Sequence, residues 1–140
     1  MKELKNGLNI FKKINMKNFK QTYWIPATSE EIYTALTNAL TIELWTGYRA
    51  NMKPVAGTLF EMYDGDISGE NIEFIENKKI IQEWYFGEQQ EKSIVTIELI
   101  QKGNSTQLQL SHKNIPDEAF EDIVNGWNDS YIGGLKTFFK

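Results

Sequence analysis

The sequence predicts an α+β fold of the helix-grip type, in which a curved antiparallel sheet wraps around one long C-terminal helix. Three observations carry this prediction: an apolar stripe with helical spacing at the end of the chain, a period of two through its middle, and short turns between the strands. The predicted order is one strand, two short helices, six strands and the long helix, which makes a sheet of about seven strands. A sheet of this kind leaves an elongated cavity between itself and the helix.

The stretch from Pro116 to Phe139 is predicted to be the long helix. Apolar side chains recur there at spacings of three and four residues, so they share one helical face. The stripe contains Phe120, Ile123, Val124, Trp127, Tyr131, Ile132, Leu135, Phe138 and Phe139. Glycines at 126, 133 and 134 interrupt it, and each costs about 1 kcal/mol relative to alanine in a helix interior. Packing against a broad apolar surface is therefore expected to hold the helix together.

The beginning of the domain is predicted to be a strand followed by two short helices. The strand runs from Asn18 to Ile25 and ends at Pro26. Thr28 to Glu31 fits a capping box, in which the Thr28 hydroxyl accepts from the Glu31 amide and the Glu31 carboxylate reaches back. A second short helix is expected around Thr41 to Trp45, and Gly47 ends it.

The middle of the chain alternates apolar and polar residues, which predicts strands. Their expected bounds are Tyr48–Met52, Thr58–Tyr63, Ile67–Glu76, Lys79–Phe86, Ser93–Lys102 and Thr106–Asn114. Turn residues such as Asp64-Gly65 and Gly103-Asn104 connect them. The expected core-facing rows are Phe60 and Met62, then Val95, Ile97 and Leu99, then Leu108 and Leu110. Gly69, inside a strand, predicts a bulge or a tight bend.

Length and charge indicate a single domain with an N-terminal extension. The 140 residues are enough for one sizeable core, and we expect an extension over residues 1–16 and one domain over 17–140. Residues 1–20 hold six lysines and one glutamate, whereas the remainder has nine basic against 18 acidic residues. The basic start is either an arm for a membrane surface or a partner, or an extension whose apolar residues dock on the domain. The acidic body argues against nucleic acid as the main partner.

Composition also limits the cellular location and the kinds of catalytic and metal sites that we expect. The chain has no cysteine, which excludes disulfides, a thiol nucleophile and thiolate metal ligands. No apolar run reaches the length that a membrane span needs, and no signal-peptide core is evident, so a cytoplasmic protein without membrane insertion is expected. With one histidine and scattered carboxylates, we expect neither a metal site nor a cofactor. No serine lies in a nucleophile-elbow motif.

Four stretches of the sequence resemble a known family. They are ATSEEIYTALT at 27–37, FEMYDGDISGE at 60–70, NKKIIQEW at 77–84, and Ile115-Pro116 followed by Gly126-Trp127-Asn128 and Leu135-Lys136. In this order they are similar to the C-terminal-type domain of activators of the heat-shock protein 90 ATPase, within the START-like (SRPBCC) superfamily. The resemblance covers residue 17 to the end and implies the START-like, or Bet v 1-like, version of the helix-grip fold.

The resemblance implies a non-enzymatic binding protein. It would have a cavity for a small apolar or amphipathic ligand, and a role with a chaperone in the stress response. The alternative is an enzyme of the polyketide cyclase or aromatase kind, which the same superfamily contains and which would act on a ligand in the same cavity. That enzyme needs a buried polar group aimed at the ligand, and His112 is the first candidate for it.

Six residues are candidates for the cavity wall, and none is assigned a catalytic role. They are Trp45, Phe60, Trp84, His112, Trp127 and Tyr131. The aromatic side chains supply apolar walls with a few polar tips. Trp45 and Tyr131 are expected at the cavity entrance, whereas core packing alone also explains Phe60 and Trp127. His112 follows Leu108 and Leu110 by strand parity, so it should face the helix, either near a ligand or satisfied by a hydroxyl or backbone group.

Overall fold

A strand, two short helices, five further strands and a long C-terminal helix follow one another along the chain. The structure, a computed structural model, describes residues 15–89 and 91–140. The strands and the first two helices are β1 Met16–Ile25, α1 Ser29–Thr37, α2 Ala39–Thr46, β2 Leu59–Met62, β3 Ile67–Ile75, β4 Lys79–Trp84, β5 Ser93–Lys102 and β6 Ser105–Pro116. The C-terminal helix consists of α3 Asp117–Asn125, a π-helical stretch Gly126–Tyr131, and α4 Ile132–Phe138. Most of the expected N-terminal extension, up to residue 14, lies outside the described residues.

The described strands form one antiparallel sheet in the order β1-β6-β5-β4-β3-β2. Neighbouring strands are paired in register, for example Tyr23 with Leu108 and Ile97 with Leu110. The predicted α+β architecture, with a curved sheet and a long C-terminal helix, is therefore confirmed.

The predicted strand count is slightly wrong, because the described part of the sheet has six strands and the stretch Tyr48–Met52 is not one of them. In that stretch only Asn51 pairs with a strand, exchanging two backbone hydrogen bonds of 2.9 Å with Glu61. Pro54 follows shortly and has no N–H to continue a ladder, and the chain then turns through Val55. One isolated bridge is the result.

The caps of the two short helices follow from the sequence. The Glu31 amide donates to Thr28 Oγ1 (3.2 Å), and the Thr28 amide donates to Glu31 Oε1 (2.9 Å), which is the expected capping box. Asn38 ends α1 and caps α2, because its Oδ1 accepts from the Thr41 amide at 3.0 Å. Gly47 ends α2 in the left-handed conformation, with φ of 82°.

The core lies between the concave face of the sheet and the helices. All seven residues of the predicted core-facing rows are buried. Gly69 permits a close approach of β3 to β4, since a Cβ atom at this position would lie 1.8 Å from the Glu83 carbonyl oxygen. The β3–β4 pairing shifts register between Asn71 and Glu73, so the expected irregularity lies just after Gly69.

The C-terminal helix packs its apolar face onto this core. Trp127, Tyr131 and Leu135 are buried, and Phe139 packs against the core, whereas Phe138 is 40% exposed. The π-helical stretch explains why Phe139, and not Phe138, packs against the core. Its wider turn spaces the inward-facing positions four residues apart, from Trp127 through Tyr131 and Leu135 to Phe139. In residues 15–89 and 91–140, no helix has both the length and the apolar character to span a bilayer.

Candidate ligand cavity

A cavity of about 530 Å³ lies between the C-terminal helix and one end of the sheet. Its walls come from the turn after β2, the start of β3, the end of β4 and the middle of the C-terminal helix. The lining residues are Tyr63, Asp66, Ile67, Trp84, Asp122, Ile123, Gly126, Trp127, Ser130 and Tyr131. Aromatic and aliphatic side chains form most of this surface, and the volume is in the range of sites that hold small organic molecules.

The helical wall of the cavity has a gap at Gly126. The lining positions 122, 123, 126, 127, 130 and 131 recur at helical spacing, so Gly126 lies in the middle of the face that looks into the cavity. A Cβ atom at this position would meet nothing within 4 Å. The missing side chain therefore helps to keep the cavity open. The π-helical stretch begins at the same residue, and such stretches are frequent at functional sites.

Two stacked indoles form the inner wall of the cavity. The rings of Trp84, on β4, and Trp127, on the helix, lie 4.8 Å apart with an interplanar angle of 19°. Tyr131 packs against Trp127 at 4.4 Å between ring centroids. Each such aromatic pair contributes about 0.5–1.5 kcal/mol beyond its buried area. The pair therefore joins the sheet to the helix, and only a small part of each indole faces the cavity, since Trp84 is 4% and Trp127 2% exposed.

A chain of hydrogen bonds fixes the Trp127 indole. Trp127 Nε1 donates to His112 Nδ1 (3.0 Å), and His112 Nε2 lies 2.9 Å from Ser93 Oγ. Because an indole N–H can only donate, Nδ1 accepts and the proton of the neutral imidazole is on Nε2. Ser93 Oγ then donates to the Lys113 carbonyl oxygen at 3.1 Å. Both ring nitrogens of His112 are occupied within the protein.

Burial keeps His112 neutral. The side chain is fully buried, and desolvation lowers its pKa from 6.5 to about 3. The protonated form would also lose the hydrogen bond from Trp127, since Nδ1 would become a donor facing a donor. The imidazole orients an indole here and has no free nitrogen to offer a ligand.

A second chain of hydrogen bonds fixes the Trp84 indole from the sheet side. Trp84 Nε1 donates to Gln82 Oε1 (3.0 Å), and Gln82 Nε2 donates to Asn71 Oδ1 (2.9 Å). Asn71 Nδ2 in turn donates to Thr58 Oγ1 at 3.0 Å. Gln82 and Asn71 are both buried, so each would carry a desolvation cost without these partners. The two buried polar chains meet at the stacked indoles and hold both rings in place.

The structure brings three of the six candidate residues together on the cavity surface. These are Trp84, Trp127 and Tyr131. Trp45 lies behind them, with its ring 5.2 Å from that of Tyr131 and its Nε1 donating to the Ala35 carbonyl oxygen at 2.8 Å. Phe60 is buried in the core and His112 lies behind Trp127, so neither is among the lining residues. Trp45 and Tyr131, expected at the entrance, are 8% and 3% exposed.

Sequence reasoning missed several lining residues. Asp122, Ile123, Gly126 and Ser130 could have been found, because they lie three or four positions from Trp127 or Tyr131 on the same helical face. Tyr63 gave no such signal. It follows β2 in a turn with positive φ, where strand parity no longer indicates a direction.

The rim of the cavity is acidic. Asp66 and Asp122 are exposed, and the described lining residues include no lysine, arginine or histidine. Two carboxylates disfavour an anionic ligand by like-charge repulsion. In the described part of the chain, no group of three His, Cys, Asp or Glu side chains is placed to hold a metal ion.

The sequence matches the family described as activator of Hsp90 ATPase homolog 1-like protein over residues 26–140. The chain belongs to this family. A human protein named activator of 90 kDa heat shock protein ATPase homolog 1 is 31% identical over 112 residues, which is 79% of this chain and 33% of the human protein. The chain thus spans about a third of the length of the curated relatives it matches.

Solved structures extend the likeness to the fold. An HSP90 activator from Plasmodium falciparum superposes with a TM-score of 0.81 at 29% identity, covering 89% of this chain and 96% of that one. The Aha1 dimer from Colwellia psychrerythraea superposes with a TM-score of 0.75 at 20% identity, again covering 89% and 96%. The expected START-like architecture and the expected family are both confirmed.

Proposed function

We propose that this protein is a binding module that holds a small apolar or amphipathic molecule between its sheet and its C-terminal helix. The observation that carries this proposal is the cavity of about 530 Å³ with a wall of two stacked indoles. Hydrogen bonds from both indoles to buried partners fix the wall before any ligand arrives. A wall that is already ordered loses little conformational entropy on binding.

The same geometry favours binding over catalysis. An enzyme of the cyclase or aromatase kind needs a polar group aimed at the ligand, and His112 was the first candidate. Both nitrogens of His112 have partners inside the protein, and its side chain lies behind Trp127. Burial holds its pKa near 3, which makes it a poor base at neutral pH.

Gly126 provides the test of the ligand cavity. We expect isothermal titration calorimetry to show that the wild-type protein binds acetylnaphthalene, a flat neutral ketone. Gly126→Leu should weaken this binding at least about ten-fold, because the new side chain extends into the cavity from the middle of its helical wall.

Gly126→Ala is the matched control. It adds one methyl group to a helix, so it should retain binding and raise the free energy of unfolding by up to about 1 kcal/mol. Equal affinity of the wild type and a folded Gly126→Leu, or no binding by the wild type, would contradict the proposal.

A second candidate function is that of a co-factor that binds a heat-shock protein 90 chaperone. The solved structure of an HSP90 activator from Plasmodium falciparum favours it, because this chain covers 96% of that one. The chain matches only about a third of the length of the curated relatives named as activators, so stimulation of the chaperone ATPase by this chain alone is a separate proposal. A chaperone role would require the protein to be in the same compartment as the chaperone, which we propose to be the cytoplasm.

The ATPase rate of a cognate heat-shock protein 90 tests this second function. We expect the rate to rise with the concentration of the full chain and to saturate. Gly126→Leu should stimulate as well as the wild type, if the chaperone uses a surface rather than the cavity. An unchanged ATPase rate together with no complex in sedimentation would exclude the chaperone role and leave ligand binding intact.

A further inference from the structure

The outer side of α3 carries a groove beside the start of β1. Its volume is about 430 Å³, and its lining residues are Lys17, Asp117, Phe120, Glu121, Val124 and Asn125. Phe120 and Val124 lie one helical turn apart and are half-buried. Ile123, on the inner side of the same helix, packs against the core and lines the ligand cavity. The inner apolar strip of α3 therefore packs on the core, whereas the outer strip forms part of the groove.

The surface around this groove is acidic. α3 contains no basic residue and four carboxylates, which belong to Asp117, Glu118, Glu121 and Asp122. Lys17, on β1, reaches across to this helix. Its Nζ lies 3.0 Å from Asp117 Oδ1 and 5.1 Å from the centroid of the Phe120 ring. Lys17 thus shows how one ammonium group can lie over the apolar strip while it pairs with a carboxylate of α3.

The described part of the chain begins next to this groove. The Asp117 amide donates to the Asn15 carbonyl oxygen at 3.0 Å, and Met16 pairs with Pro116. Residues 1–14 are therefore joined to the domain at the first turn of α3. Fourteen residues cover about 21 Å even as an α-helix, whereas the nine residues of α3 cover about 14 Å. The segment is long enough to lie along the whole groove.

The sequence of residues 1–14 complements the groove in charge and in apolar spacing. The segment holds four lysines against one glutamate, a net charge of +3. Leu4, Leu8 and Phe11 recur at spacings of four and three, so a helix presents them on one face, and Ile10 falls outside that face. Amphipathic helices commonly bind by placing such a face in an apolar groove. The lysines of the segment match the carboxylates of α3.

We propose that residues 1–14 dock in the groove and cover the outer side of α3. From Asn15 the segment runs back along the helix. Phe11 then lies against Phe120, and Leu8 lies against Val124 one turn further on. Docking gives α3 a second packed side and supports the helix whose inner side lines the ligand cavity. The contact lies within one chain and needs no ligand, so it stands or falls independently of ligand binding.

A spin label tests the docking, because the chain has no cysteine that would compete for the label. In the full chain, Asn6→Cys carries a nitroxide on the side of the segment opposite Leu8, and NMR measures the loss of amide signals close to the label. We expect the signals of Glu121 and Val124 to lose most of their intensity and to regain it when ascorbate reduces the nitroxide. The loss should diminish at high salt, since opposite charges contribute to the docking.

Phe11→Ser and Ile10→Ser, each in the labelled chain, form a matched pair. Both remove one large apolar side chain from the segment, but only Phe11 shares a helical face with Leu4 and Leu8. Phe11→Ser should restore most of the signal of α3, and Ile10→Ser should leave the loss unchanged. Equal effects of the two substitutions would overturn the proposal.

Three further results would also overturn it. Full intensity of the α3 signals in the labelled chain would mean that the segment does not occupy the groove. A loss at Leu44 as strong as that at Val124 would mean unselective contact, because Leu44 is 73% exposed and lines a different groove, between α2 and α4. Binding of the chain to phosphatidylserine vesicles, with the α3 signals unaffected by the label, would assign the segment to a membrane surface instead.

Discussion

His112 is the residue whose environment has the clearest consequence for stability. In the folded protein it is buried, accepts from Trp127 at one nitrogen and contacts Ser93 at the other. In the unfolded chain it titrates near its ordinary pKa of 6.5. The unfolded state therefore binds a proton below pH 6.5 that the folded state does not take up until the pH approaches 3.

Stability should consequently fall with pH below 6.5. The lowered pKa of His112 means that its neutral form stabilises the fold fully above pH 6.5, and this contribution is lost as the pH falls toward 3. Between pH 6.5 and about pH 5 we expect a loss of roughly 1.5 kcal/mol in the free energy of unfolding. Urea unfolding at a series of pH values measures it.

His112→Gln provides the comparison. A glutamine amide can accept from Trp127 and donate to Ser93 but does not titrate, and the chain contains no other histidine. The variant should be less stable at neutral pH, with most of the pH dependence in this window removed. A variant that keeps the full wild-type slope would show that His112 is not held neutral.

Individual site residues were predictable from sequence to different degrees. Trp127 and Tyr131 could be placed by helical spacing, and Trp84 by its strand, because both patterns assign each side chain to a face. The polar partners that fix the indoles were not predictable, since Gln82 and Asn71 look like ordinary strand residues. Their burial depends on the register of β3 and β4, which alternation alone does not set.

At the level of elements, the C-terminal helix shows what periodicity can and cannot give. Its position and its apolar stripe were predicted correctly, and Trp127, Tyr131 and Leu135 are buried as expected. Phe138 was placed in the stripe by a regular α-helical period, yet it is exposed. The π-helical stretch Gly126–Tyr131 has more residues per turn than an α-helix, so it shifts the positions that follow it around the helix axis. Helix propensity does not predict such a stretch, because packing stabilises it.

The predicted number of strands was too high by one, because local alternation does not show whether a stretch pairs with a neighbouring strand. Tyr48–Met52 alternates in the way of a strand, but one bridge between Asn51 and Glu61 is all that forms. Gly47 lies just before this stretch and Pro54 just after it. The few residues between them are not enough for a ladder of backbone hydrogen bonds. Turn chemistry outweighs alternation over such a short distance.

At the level of the whole molecule, the fold and the family followed from the sequence, whereas an open cavity did not. Alternation, helical spacing and four short stretches in order are enough to identify a sheet wrapped on a helix. Whether space remains between them depends on side-chain volumes at a few positions. Gly126 and the stacked pair of Trp84 and Trp127 are the residues that set this space.

The central claim is that a ligand lies against the stacked indoles. The most direct measurement is by NMR: intermolecular nuclear Overhauser effects between acetylnaphthalene and the indole protons of the four tryptophans. We expect contacts to Trp84 and Trp127, which line the cavity, and none to Trp24, which is 52% exposed on the strand β1. Contacts to Trp24 without any to Trp84 and Trp127 would mean surface binding and would contradict the account.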